Sequence, residues 1–171
     1  MTSTELLVDA FERIRDAVHP AVNGLSLDDL AFRPDPESNS IAWLVWHLTR
    51  VQDARVAGLT DREQVWTANG WVDRFGLPLE PLDTGFGHDP ATVALVIAEA
   101  SLLLDYFEDV HRRTIEVLGS LAESDLARVL DSTWDPPETV SSRLVAVVVD
   151  DLQHVGQAAY VRGIVQRLSE E

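Results

Sequence analysis

Three side chains of this 171-residue chain have the types and spacing to hold a metal ion. Asp150 and His154 lie four residues apart in the apolar stretch LVAVVVDDLQHVGQAAYVRG. On a helix, residues i and i+4 are neighbours on one face, with Cβ atoms roughly 5–6 Å apart. A carboxylate and an imidazole at that separation can bind one divalent cation together. His47 interrupts the other strongly apolar stretch, IAWLVWHLTRV, and offers a third ligand from a second helix. Three protein ligands leave coordination positions open, and open positions are where metal chemistry happens. Asp151 lies three residues from His154 and is also within reach, so spacing alone leaves the two aspartates open.

Apolar periodicity predicts the elements that must carry these residues. Leu6, Leu7, Ala10, Phe11, Ile14, Ala17 and Val18 form a helical stripe from Thr4 to about Asn23, with Gly24 in the C′ role. Pro34 and Pro36 make residues 25–39 an irregular connection, with one short turn at Leu27–Leu30. Asn39 or Ser40 caps a second helix that carries Trp43, Leu44, His47, Leu48 and Val51 to about Leu59. Residues 60–89, rich in glycine, proline and aromatics, read as a long loop. Such a length is uncommon unless the loop forms part of a site or holds short helices. Asp89–Pro90 opens a third helix, expected to reach Leu118 on the stripe Val93, Val96, Ile97, Ala100, Leu103, Leu104, Phe107 and Val110. Residues 119–138 form another connection, with a short helix near Glu123–Val129 and a stop at Trp134-Asp135-Pro136-Pro137. The final helix runs from about Val140 to Leu168. Its first half is apolar nearly all round, which predicts a place at the centre of the fold. Four such helices describe an all-α bundle, one domain over residues 1–171.

Composition narrows the function classes. The chain carries 29 acidic and 13 basic residues, a formal charge of −16. Nucleic acids and anionic membrane surfaces both require a cationic face, so neither is expected as a partner. All the basic residues are arginine, which excludes Schiff-base catalysis through a lysine. There is no cysteine, so a thiolate metal site and a protein-borne thiol nucleophile are excluded too. Any thiol chemistry must use a thiol that arrives on a second substrate. The acidic, amphipathic N-terminal stretch lacks the cationic and apolar regions of a signal peptide, and no long apolar run predicts a membrane span. A cytoplasmic address is the expectation, and an apolar bundle of this size is compatible with a homodimer.

The remaining polar and aromatic residues divide between site and scaffold. A lone inward histidine is more often a buried neutral group than a ligand, and only its partners change that reading for His47. A buried Asp150 calls for a partner, and Arg143, Arg50 or Arg55 would serve. Trp43, Trp46, Trp66, Trp71 and Phe75 either line a substrate cavity or pack the core. Arg50, Arg55, Arg74 and Arg162 either bind a substrate carboxylate or form structural ion pairs. His88 precedes a helix cap and borders the expected site, whereas His19 and His111 sit among charged residues and are expected at the surface.

NSIAWLVWHLTRVQDARVAGL, VWTANGWVDRFGLPL, DTGFGH and DDLQHVGQAAYVRG together resemble the DinB-like superfamily. Within it they look most like the actinobacterial mycothiol S-transferase and mycothiol-dependent maleylpyruvate isomerase branch. The resemblance spans about Phe11 to Arg167 and implies an up-down four-helix bundle with long crossover connections. It implies a metal held by one histidine of the second helix, here His47, and by an H-x-x-x-H pair of the last. The second histidine of that pair falls on His154, placed by Gly156–Gln157, and the first falls on Asp150. This substitution keeps a competent ligand, lowers the net positive charge of the centre and shifts preference toward harder metals. Zinc is the first expectation, with nickel, iron or manganese as alternatives. The implied activity uses mycothiol as thiol cosubstrate, for S-transfer to a small electrophile or for cis–trans isomerisation. Trp43, Arg50, Trp66, Trp71, His88 and Arg162 are the expected substrate- and cofactor-binding residues. A metal-dependent hydrolase on the same triad, or a non-catalytic bundle that binds a metal or ligand, are the alternatives.

Overall fold

Capping residues set most of the helix boundaries. The computed structural model describes residues 1–169. Helix α1 spans Ser3–Val22, opened by a reciprocal Thr2–Glu5 capping box and followed by Gly24 at φ +78°. Helix α2 is the short Leu27–Ala31, capped by Ser26. Helix α3 covers Ile41–Ala57, where the Ser40 hydroxyl accepts the Trp43 N–H. Three short helices follow: α4 at Val65–Ala68, α5 at Trp71–Phe75 and α6 at Pro90–Val93. Helix α7 is Ala100–Ser120 and helix α8 is Val140–Leu168, capped by Thr139.

The four long helices pack as a bundle in which α8 lies against α3 and α1, and α7 against the same two from the other side. Their directions follow from the contacts. Leu6 and Val145 line one groove near the starts of α1 and α8, and Arg162 donates to the Asn23 carbonyl toward their ends. Those two helices therefore run the same way. Gly58, at the end of α3, accepts from Arg143 near the start of α8, so α3 runs opposite. Helix α7 opposes α1, with Glu12 paired to His111 and His19 to Glu108. Neighbours α3 and α7 are consequently parallel, and a parallel pair needs a connection that travels the length of the bundle. Residues 58–99 make that crossing. Along it the Val65 and Trp66 amides bond to Asp53, the Asp83 carbonyl to Arg50, the Thr84 carbonyl to His47, and the Pro90 carbonyl to Arg33. The crossover thus passes over the middle of α3, where His47 lies.

The structure corrects four expectations. The third helix is not continuous from Asp89: after α6, residues 94–99 leave the helix and α7 begins only at Ala100. In that stretch Val96 and Ala98 are buried while Ile97 points out, a two-residue alternation that the helical stripe had assigned differently. Residues 129–131 and 138–139 form a small antiparallel hairpin, β1 with β2, which no alternating apolar run announced. Helix α8 is not enclosed on all sides, since Val145, Val149 and Leu152 are each about half exposed on its outer side. His111 is buried, because it continues the inward line Phe107, His111, Thr114 and Leu118 at helical spacing. No described helix is long and apolar enough to cross a membrane.

Candidate metal centre

His47 projects from α3 toward α8, where Asp150 and His154 stack one turn apart. One ligand atom from each of the three lies within 4.8 Å of the others. His154 Nε2 is 3.5 Å from Asp150 Oδ1, and the two imidazole rings meet edge to face with centroids 4.7 Å apart. Metal–ligand bonds of about 2.0–2.2 Å would draw such a cluster together around one ion.

The outer nitrogen of each imidazole already has a partner. His47 Nδ1 donates to the Thr84 carbonyl at 2.5 Å, and His154 Nδ1 donates to Gln157 Oε1 at 3.1 Å. These bonds assign the proton to Nδ1 in both rings and leave each Nε2 lone pair for the centre. That is the arrangement in which metal-binding histidines are usually held. Asp150 Oδ2 is buried with no hydrogen-bond partner, so a carboxylate oxygen is also available. The donor set of two nitrogens and one or two oxygens fits zinc and, equally, harder divalent ions.

The crossover loop makes this possible through Gly85. An added Cβ there would come within 2.8 Å of His47 Nδ1, 3.0 Å of Trp46 and 3.2 Å of Trp43, and its φ is +89°. Only glycine lets the loop approach closely enough for the Thr84 carbonyl to reach His47. Asp83 holds the loop by accepting from the Gly85 amide and from His88 Nε2, while His88 Nδ1 accepts from Trp43 Nε1. Trp43 in turn stacks on His47, centroids 4.5 Å apart and nearly parallel. Thr84, Gly85 and Asp83 are positioning residues that the sequence did not single out one by one, whereas Gln157 stood in the stretch that placed His154. The compact D-T-G-F-G-H cluster was the available signal, since closely spaced glycines mark close backbone approach.

For His47 and Asp150 the protonation equilibria favour the metal-binding form, whereas the proton that His154 Nε2 shares with Asp150 would have to leave before a metal bound there. Burial lowers the His47 imidazole pKa below its usual value, favouring the neutral form that binds metals. Burial acts to raise the Asp150 pKa, but the hydrogen bond and charge of His154, with His47 behind, bring it below the ordinary carboxylate value. Burial opposes charge on His154 as well, yet the Asp150 carboxylate outweighs it and holds that pKa up.

The two adjacent aspartates have opposite fates. Leu144, Val147, Asp151, Val155 and Ala158 form the inward line of α8, which buries Asp151 completely. Asp151 has no partner on either oxygen, and burial together with the Asp150 charge pushes its pKa well above the usual range. Asp150 is displaced to the seam with α3, its side chain 33% exposed, so the buried, arginine-paired Asp150 is corrected. Its nearest partner is His154, while Arg143 is tied to Glu138 and Arg50 to the crossover.

Of the other expected binding residues, Trp43 and His88 flank the triad. Arg50 does not reach a cavity. It is fully buried, donates to the Asp83 carbonyl, Gln64 and Tyr106, and lies 4.7 Å over the Trp66 ring. Trp66 and Trp71 are core residues whose Nε1 groups donate to the Pro81 carbonyl and to Asp109. Arg162 stands eight residues beyond His154, about 12 Å along the helix, and ties α8 to Asn23. The structure thus places Arg50, Trp66 and Trp71 in the packed scaffold and Arg162 at the α1–α8 contact, away from the triad.

Comparison with known proteins identifies a family and a close structural likeness. The family model of the DinB superfamily matches residues 10–158. No curated protein sequence matches the chain. A solved structure, the crystal structure of a conserved protein from Enterococcus faecalis, superposes with a TM-score of 0.90 at 30% identity, covering 96% of this chain and 98% of that one.

Proposed function

The chain belongs to the DinB superfamily, and from that premise we propose a metal-dependent enzyme that uses a low-molecular-weight thiol against a small electrophile. His47, Asp150 and His154 are the ligands in this reading, and mycothiol is the thiol. The observation that carries the metal is that one ligand atom of each residue lies within 4.8 Å of the others while both Nδ1 atoms are already paired with oxygen. The thiol reading rests on the resemblance carried by the D-x-x-x-H-x-G-Q motif of α8, and a chain without cysteine would need that thiol from a second substrate.

A bound divalent ion would supply Lewis acidity and would hold a thiol as its thiolate. The protein's own groups do the rest. Thr84 and Gln157 fix the two rings, Trp43 covers the His47 face, and Asp150 offsets part of the centre's positive charge. A groove of about 740 Å³ opens beside Gln157 and Leu44 and is lined further on by Gly156, Tyr160 and Asn39. That volume accommodates a small organic substrate with its cosubstrate. With an ion held by His47, Asp150 and His154, the site would serve S-transfer from a thiol to an electrophile or, where addition of the thiol reverses, isomerisation about a double bond.

Elemental analysis of protein purified without added metal, repeated on His47→Ala, tests the centre. The expected result is near-stoichiometric divalent metal, lost in the variant; unchanged content would refute the ligand set. Turnover of a general electrophile with and without mycothiol tests the chemistry. Product formed equally well without thiol would reject thiol transfer in favour of hydrolysis.

A further inference from the structure

On the side of the triad away from the large groove lies a second, smaller cleft of about 160 Å³. Asp150 forms part of its wall, and the rest includes Arg55, Arg143, Glu138 and Ala146. Arg143 is the unusual member. Its side chain is 16% exposed, Nη1 donates to the Gly58 carbonyl and Nη2 to Glu138, but the buried Nε has no acceptor. A buried guanidinium N–H left unpaired is costly, and native proteins retain few of them. Arg55, more than half exposed, stands at the same cleft 3.6 Å from Glu138.

We propose that this cleft is a carboxylate-binding subsite, in which Arg143 Nε–H donates to the carboxylate of a compact acid or of the acidic end of a larger substrate. As a substrate subsite it rests on the metal-centre reading above; as a binding site it does not. The charges of the cleft favour one carboxylate over a more highly charged anion. Arg55 and Arg143 are balanced by Glu138 and Asp150, so a phosphate dianion would meet two fixed carboxylates with little surplus positive charge. A carboxylate brings a single charge and an acceptor oxygen suited to the free N–H. A divalent ion at the triad would add positive charge beside Asp150 and tighten the binding of any anion. The volume of the cleft limits its occupant to a few non-hydrogen atoms. A substrate that also reached the large groove would therefore lie across the triad, with its acid anchored at Arg143 and its reacting carbon near His47 and His154.

The experiment is an NMR titration of the arginine Nε–H signals with acetate, and with acetamide as the neutral isostere, in both metal-free and zinc-loaded protein. A saturable shift of the Arg143 signal is expected with acetate and not with acetamide, tightening on zinc loading. Arg143→Lys keeps the charge but deletes the Nε donor, and should weaken acetate binding roughly tenfold or more, followed through neighbouring amide signals. Ala146→Leu breaks no bond and fills the cleft from the exposed side of α8, so it should abolish binding while leaving the thermal melt and zinc stoichiometry unchanged. Absence of a saturable acetate shift in both forms, an equal response to acetamide, or full binding in Ala146→Leu would overturn the proposal. If zinc fails to load, the metal reading fails instead, and the metal-free titration still decides the cleft.

Discussion

Gly85→Ala separates backbone strain from the support of the metal ligand. Alanine at φ +89° costs about 1–2 kcal/mol for the left-handed conformation alone. For a chain of this size that is roughly 2–8 °C in Tm. The new methyl also meets His47 Nδ1 at 2.8 Å, with Trp46 and Trp43 behind it at 3.0 and 3.2 Å. All three are rigid rings in a packed region, so it is the loop that must withdraw. Withdrawal takes the Thr84 carbonyl from His47 Nδ1 and frees the ring's tautomer and orientation. Loss of such an outer partner lowers metal affinity by about 10–100-fold. Gly87 provides the control, since it has φ +75° but nothing within 4 Å of an added Cβ. Gly87→Ala should thus show a similar melting shift with zinc affinity unchanged. The assays are thermal unfolding of the metal-free proteins and competitive zinc titration against a chromophoric chelator. Equal zinc affinities in the two variants would refute the argument that Thr84 holds His47 for the metal.

Other substitutions probe neighbouring parts of the argument. Asp150→Ala should lower metal occupancy much more than Asp151→Ala; equal losses by elemental analysis would mean that the helical register is misread. Asp151→Leu replaces a buried, unpartnered carboxyl with an apolar group of similar size and should stabilise the metal-free protein by about 1–3 kcal/mol in urea unfolding; a loss of stability would point to a hidden partner. Arg50→Met leaves Asp53 buried beside an apolar chain and unpins residues 82–83, for an expected cost of about 3–5 kcal/mol. A near-neutral result would show that Arg50 is dispensable to the crossover. Glu108 is subject to burial, which raises its pKa, but its bonds to Arg15 and His19 hold it lower than usual. Its contribution is therefore present above the unfolded pKa of about 4.3 and lost as pH falls through the folded value. Because the group is partly exposed, the gap between wild type and Glu108→Gln should be under about 1 kcal/mol at neutral pH and close in acid; a gap that widens in acid would reverse the assigned sign.

Much of the scaffold was legible along the chain because its signals are local. Ser40 and Asp89, both read as caps along the chain, cap the helices they precede, and Gly24 ends α1, each through bonds or dihedrals within a few residues. The three ligand residues stood out for the same reason, as polar groups interrupting apolar runs. The break at residues 94–99 was not legible, since Val93, Val96 and Ile97 satisfy a helical stripe that packing then declined to use. The misplaced His111 shows the converse: its neighbours in sequence are charged, but its neighbours at helical spacing are core.

By itself the sequence determined an all-α chain, a pair of candidate ligands one turn apart on the last helix, a third candidate on another, and a chain without any thiol of its own. These follow from periodicity and composition, which need no knowledge of what lies across the bundle. Tertiary structure decided which aspartate meets His154, because a rotation of one residue moves a side chain by about 100° around the helix and only the packing of α8 on α3 and α1 selects the angle. It also decided what stands behind the ligands. Thr84 and Gly85 lie nearly forty positions from His47 and reach it only because parallel α3 and α7 force the connection back across the bundle. Arg143 lines the cleft beside Asp150 through the same docking of α8 on α3, a juxtaposition that no spacing within either helix encodes.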